Sequence, residues 1–210
     1  GFTCDIGTIT PTTLCPLTQF CIAGSSRGTY CANGTYGLSN GLLSQNECTD
    51  CPGSKYCQHG RIIGDCSAGY FCKTKQGTPS PAFDTTLYPD TNELLEALQA
   101  LNGGPCFPGG YCPTGTSYPL SCTNSTVRAA AYGASPSDCG PCPAGYTCSI
   151  GNPVPSICAK GKYCPEGQSA IDCPRGTYQP GIIKSTLDDC LDCPPGRFCN
   201  ATGITSFANW

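Results

Sequence analysis

Residues 173–199 read CPRGTYQPGIIKSTLDDCLDCPPGRFC, four cysteines separated by sixteen, two and five residues. The same spacing begins at Cys31 and at Cys122. Its last interval, two cysteines enclosing five residues, occurs seven times, starting at Cys15, Cys51, Cys66, Cys106, Cys142, Cys158 and Cys193. The residue before the second cysteine is aromatic in six of these (Phe20, Tyr56, Phe71, Tyr111, Tyr163, Phe198), and in the seventh Tyr146 is displaced by one place. Glycine stands three places after the first cysteine in five copies (Gly69, Gly109, Gly145, Gly161, Gly196), where a tight turn calls for a positive φ. A full unit, from Cys122 to Cys173, advances 51 residues, and a period of that size marks a linear array of small modules.

Composition points the same way. The 210 residues include 21 Cys, 27 Gly and 20 Pro, but only 33 Leu, Ile, Val and Phe together. A chain below roughly 20% in those four types tends to disorder unless something else stabilises it. Cysteine is that something, and at one residue in ten it places the protein in an oxidising setting, extracellular or at the cell surface. The net charge is −3, and the 11 Lys and Arg are scattered singly, so no basic patch recruits nucleic acid. No apolar run reaches the roughly 18 to 20 residues of a membrane span, and no signal-peptide pattern is recognisable. The sequence therefore reads as an interior piece of a longer or processed polypeptide.

Cys139-Gly140-Pro141-Cys142 spells a thioredoxin-type dithiol. Its register argues otherwise, because Cys139 and Cys142 hold the places of Cys48 and Cys51 and of Cys190 and Cys193. A reactive thiol also needs a pKa lowered at a helix N-terminus. Zinc knuckles are disfavoured by the further cysteines between the pairs and by a single histidine, His59, in a Gln-His-Gly turn. Glu47, Asp138 and Asp189 each precede the second long-loop cysteine, but no dense oxygen-ligand loop for calcium surrounds them, and they read as solvated turn residues. No nucleophile, base and orienting group stand out together. No catalytic residue, metal site or cofactor is expected.

Residues 31–57, CANGTYGLSNGLLSQNECTDCPGSKYC, and 173–199 resemble the cysteine-rich repeats of tumour-necrosis-factor receptors and the related ephrin-receptor-like repeats, which are common in protist and algal surface proteins, including those of flagellar hairs (mastigonemes). The resemblance covers most of the chain outside 73–105. It departs after Cys122, where the Gly-Thr-Tyr of residues 34–36 and 176–178 is missing. It implies a long loop closed on itself and four interlaced cysteines: Cys31 with Cys48, Cys51 with Cys66, Cys57 with Cys72, Cys122 with Cys139, Cys142 with Cys158, Cys148 with Cys164, and Cys173 with Cys190. Joining Cys4 to Cys21 and Cys106 to Cys112 then leaves Cys15, Cys193 and Cys199 to partners outside the segment, in the same polypeptide or a neighbouring subunit. A rival scheme closes every five-residue loop locally and leaves only Cys4.

The domain order expected is a partial repeat (1–30), a repeat (31–72), an insertion (73–105), a short module (106–121), a repeat (122–172) and a partial repeat (173–210). The insertion carries a helix near 91–102, capped by Asp90 or Thr91 with Glu93 completing a box, and ended by Gly103 and Pro105. Leu94, Leu95, Leu98 and Leu101 form one face, which packs on its own module or on a neighbouring subunit. Sequons at Asn33, Asn124 and Asn200 mark N-glycosylation, the first two at equivalent points of two modules. The fold expected is small and disulfide-rich, an elongated, mostly irregular array with short β ribbons and one inserted helix. The function expected is a structural segment of an extracellular glycosylated filament or coat, flagellar-hair-like, whose partners are copies of itself or further repeats; the alternative is a ligand-binding or adhesive receptor ectodomain.

Overall fold

The computed structural model describes residues 1–7 and 9–209. One local unit builds most of it. Ten cysteines (Cys15, Cys31, Cys51, Cys66, Cys106, Cys122, Cys142, Cys158, Cys173, Cys193) are each followed, three residues on, by a residue of positive φ or, in other words, by a left-handed turn. After Cys142 the Tyr146 N–H donates to the Pro143 carbonyl at 3.1 Å, with Gly145 at φ 81. This is a type II turn, whose third residue is left-handed. The same bond recurs from Gln19 to Pro16, Thr35 to Ala32, Lys55 to Pro52, Tyr70 to Ser67, Thr126 to Thr123, Thr177 to Pro174 and Arg197 to Pro194. Thr18, Ser54 and Ser125 hold the left-handed place where glycine is absent. The departure after Cys122 is thus only chemical: Ser125 (φ 65) turns the chain and Val127 stands where other modules keep an aromatic.

The residues after each turn pair antiparallel with a second strand, which in all modules but that of Cys193 immediately precedes the next module's first cysteine. Gln19 faces Tyr30, Thr35 faces Asp50, Tyr146 faces Ile157 and Thr177 faces Asp192. Among the described residues the strands form two-stranded ribbons and no larger sheet. At two matching registers the pair is charged, Lys55 with Asp65 and Lys162 with Asp172, each at 2.5 Å.

Consecutive modules are joined through their main chains. The N–H of each first cysteine donates to the carbonyl of the preceding turn residue. In one compact unit, built from Gly1–Phe107, Tyr111–Pro119 and Ala131–Ser135, these bonds run from Cys31 to Thr18, Cys51 to Gly34, Cys66 to Ser54 and Cys106 to Gly69. In the other, built from Pro108–Gly110, Leu120–Ala130 and the chain from Pro136 onward, they run from Cys122 to Gly109, Cys142 to Ser125, Cys158 to Gly145, Cys173 to Gly161 and Cys193 to Gly176. All are 2.8–3.0 Å. The carbonyl of the first cysteine is met in turn by the N–H of a second left-handed residue within the next module: Lys75 for Cys51, Tyr132 for Cys106, Gly167 for Cys142 and Ile183 for Cys158. Packing is close at Gly161 (φ 79), where an added Cβ would lie 2.2 Å from the Gly203 carbonyl oxygen. A buried main chain must satisfy its polar groups, and here neighbouring modules satisfy one another's.

The insertion is built differently. Its helix, Thr91–Gln99, starts at Asp90, whose carboxylate accepts from the Asn92 and Glu93 N–H groups at 2.8 and 3.1 Å. It ends earlier than the expected 102, because Gly103–Pro105 pairs as a strand with Tyr70–Cys72. Leu94 and Leu98 are buried in a cluster with Phe71, Cys106, Phe107 and Cys112, flanked by Phe83, Tyr88, Leu95 and Leu101. The leucine face therefore packs within this chain, on Phe71 of its own module and on Cys106, Phe107 and Cys112 of the following one. Lys73 ties the helix end down, donating to the Gln99 carbonyl at 2.8 Å while lying over the Phe71 and Tyr118 rings.

Candidate functional site: disulfide framework and sequons

Every disulfide joins a module's first cysteine to the next cysteine in sequence. Cys31–Cys48, Cys122–Cys139 and Cys173–Cys190 close the long loops as expected, and Cys106–Cys112 forms too. The interlaced pairs do not form. Cys51 bonds Cys57 rather than Cys66, Cys66 bonds Cys72, Cys142 bonds Cys148 rather than Cys158, and Cys158 bonds Cys164. The type II turn is the reason: it folds five residues back until the Cys51 and Cys57 Cα atoms, and those of Cys142 and Cys148, are 5.7 Å apart, within the ordinary span of a bridge. Modules meet through main-chain bonds and need no sulfur between them. Cys15–Cys21 and Cys193–Cys199 also close, which corrects the expectation that Cys15, Cys193 and Cys199 await outside partners and removes the case for half-repeats.

Cys4 is not joined to Cys21 and is the one free cysteine. Its surroundings follow the module pattern: Cys15 N–H donates to Gly1, Phe2–Thr3 pairs with Thr13–Leu14, and Cys4 N–H donates to Ser25. Cys4 thus sits where short modules keep their second cysteine. In the long-loop modules that place is taken by Gly37, Arg128 and Gln179. Gln179 is 2% exposed, accepts from the Gly181 N–H at 2.9 Å and donates to the Asp189 carbonyl.

The dithiol motif is split between two bridges, Cys139 to Cys122 and Cys142 to Cys148, so its cysteines are not bonded to each other. The recurring acids have a task that spacing did not reveal. Glu47 accepts from the Leu43 N–H at 2.7 Å, and Asp189 accepts from the Thr186 and Ser185 N–H groups at 3.0 Å each. The Thr186 bond first, then that from Ser185, holds the Asp189 carboxyl down at about 2. These carboxylates fasten the 3-10 turns Gln45–Glu47 and Leu187–Asp189 that lead into Cys48 and Cys190; Asp138 ends the equivalent turn, Pro136–Asp138. Among the described residues no group of three or more His, Cys, Asp and Glu is arranged to hold a metal ion. His59 (φ 50) and Gly60 (φ 70) form the tight turn of the Lys55–Gln58 and Arg61–Asp65 hairpin, and its ring meets Tyr30 edge-on.

Asn33, Asn124 and Asn200 are all exposed. Asn33 and Asn124 each sit at the second residue of a type II turn, between Ala32 and Gly34 and between Thr123 and Ser125. Asn33 also forms part of the wall of a polar cleft of about 360 Å3, shared with Thr35, Gln45, Asn46, Asp50 and Lys75. Lys75 and Asp50 pair across its rim at 3.3 Å. No family model matches the chain, and no curated protein is significantly similar to it.

Proposed function

We propose that this chain is a structural segment of an extracellular, glycosylated filament or surface coat of the flagellar-hair type, made of repeats of the tumour-necrosis-factor-receptor and ephrin-receptor-like kind. The observation that carries this reading is the main-chain ladder from each first cysteine to the preceding turn. A joint made of backbone bonds and local disulfides demands little of the side chains, so modules can be added in series, each stabilised by its neighbours. The framework of ten bridges suits an oxidising, secreted setting. No helix of the described residues is long and apolar enough to cross a membrane. The partners in this reading are copies of the chain or further repeats.

A receptor or adhesive ectodomain is the second reading, favoured by apolar side chains left in solvent, such as Leu38, Leu87 and Ile150. Negative-stain microscopy of the native material separates the two. Filaments or a continuous coat containing the chain are expected. Isolated particles that bind a soluble ligand would overturn the structural reading.

A further inference from the structure

We infer that Asn33 carries an N-linked glycan whose first sugar ring lies in the polar cleft lined by Gln45, Asn46, Asp50 and Lys75. The inference rests on the secretory setting read above and goes beyond it by naming one site and its ligand chemistry. Asn33-Gly34-Thr35 is a sequon on an exposed turn. The asparagine's Oδ1 is occupied, accepting from the His59 N–H at 3.4 Å, while Nδ2, the atom that takes the sugar, makes no hydrogen bond among the described residues, and the residue lines the cleft. At about 360 Å3 the cleft is at the lower end of the range of small-molecule sites, roughly 300–1,000 Å3, which suits one ring. Its lining offers the Asn46 amide, the Asp50 carboxylate and the Lys75 ammonium, groups that hydrogen-bond sugar hydroxyls and an acetamido group, while the Gln45 amide is held by the Ala32 N–H and the Thr35 hydroxyl.

The linkage forms when Nδ2 attacks the anomeric carbon of a diphosphate-activated oligosaccharide. The C1–O bond breaks with its electron pair leaving on the diphosphate, an N–C1 bond forms, and one amide proton is lost to a base. Thr35 is 5% exposed, and its hydroxyl donates to the Ala32 carbonyl at 2.7 Å. A transferase that reads the sequon through that hydroxyl therefore acts before the turn closes. A sugar tethered at the cleft wall has a high effective concentration over the cleft, so weak hydrogen bonds suffice to seat it.

The test uses the full chain secreted from a glycosylating eukaryotic host. Sites are read by enzymatic release in heavy-oxygen water followed by peptide mass spectrometry, first denatured and then native. Asn33 is expected to be occupied, with native release about tenfold slower than at Asn124, the worth of one or two net hydrogen bonds, and Asp50→Ala is expected to remove that difference. A secreted chain with Asn33 unmodified would overturn the site. Occupied Asn33 released as fast as Asn124, or a lag untouched by Asp50→Ala, would overturn the seat. Failure of the chain to pass the secretory pathway with its disulfides formed would instead overturn the extracellular reading.

Discussion

The insertion and the turn modules solve the same problem by different means. Residues 73–105 bring two aromatic rings, Phe83 and Tyr88, and a leucine face onto Phe71 and Phe107, whose rings meet edge-on at 4.8 Å. That is an ordinary hydrophobic cluster, held by area removed from water. Among the described residues the modules have no comparable cluster: what they bury is chiefly the cysteines themselves, with Cys15, Cys51, Cys142, Cys158 and Cys173 all at 0% exposure. Their apolar side chains, such as Leu120, Ile157 and Leu191, are largely left in solvent. A module of this size cannot enclose a core, and it substitutes covalent closure and shared backbone bonds for one.

This contrast predicts that reduction and side-chain truncation act on different regions. Complete reduction is expected to have the largest effect, unfolding the modules outright, since each 17-residue separation contributes about 3 kcal/mol and each shorter loop about 2 in the chain-entropy model. Loss of amide-exchange protection at the ladder cysteines on reduction checks this; retained protection would show that backbone bonding alone suffices. Leu98→Ala is expected to cost about 2–5 kcal/mol, confined to the insertion and the Phe71 cluster. Exchange protection around Cys142–Cys164 should not change, and a loss there would break the comparison.

Gly161→Ala comes next, costing about 1–3 kcal/mol through a left-handed φ and the approach to Gly203, and read as a lowered melting temperature. An unchanged melting point would mean that the ladder is slack at that joint. The smallest effect belongs to Asp189. Its carboxyl titrates at about 2 in the folded chain, below the ordinary value, so its contribution is present above about pH 4 and is lost as pH falls toward 2. Asp189→Asn should flatten that part of the stability profile, and a profile identical to that of the parent chain would remove the capping role.

The repeat was legible because its requirements leave marks on residue types. Cysteine six places apart is a covalent need, glycine at Gly145 and Gly161 is a conformational one, and Asp90 before the helix is a capping need. The bridges of the five-residue loops were not legible, since spacing alone admits both the interlaced and the local scheme for them. What decides between them is the turn, and turns at Thr18, Ser54 and Ser125 lack the glycine that would have advertised it. The ladder left still less trace: main-chain bonds impose no side chain, and Lys75, Tyr132 and Ile183 take the second left-handed position without any shared chemistry. Glu47 and Asp189 were visible as recurring acids, but their task as caps depends on the backbone N–H groups gathered around them.

The most direct test of local closure with backbone joining is a disulfide map of the native chain, digested at low pH without reductant. The account predicts Cys51 with Cys57, Cys66 with Cys72, Cys142 with Cys148 and Cys158 with Cys164, with Cys4 outside every internal bridge. Peptides joining Cys57 to Cys72, or Cys142 to Cys158, would contradict it and show that sulfur, rather than the main chain, links one module to the next.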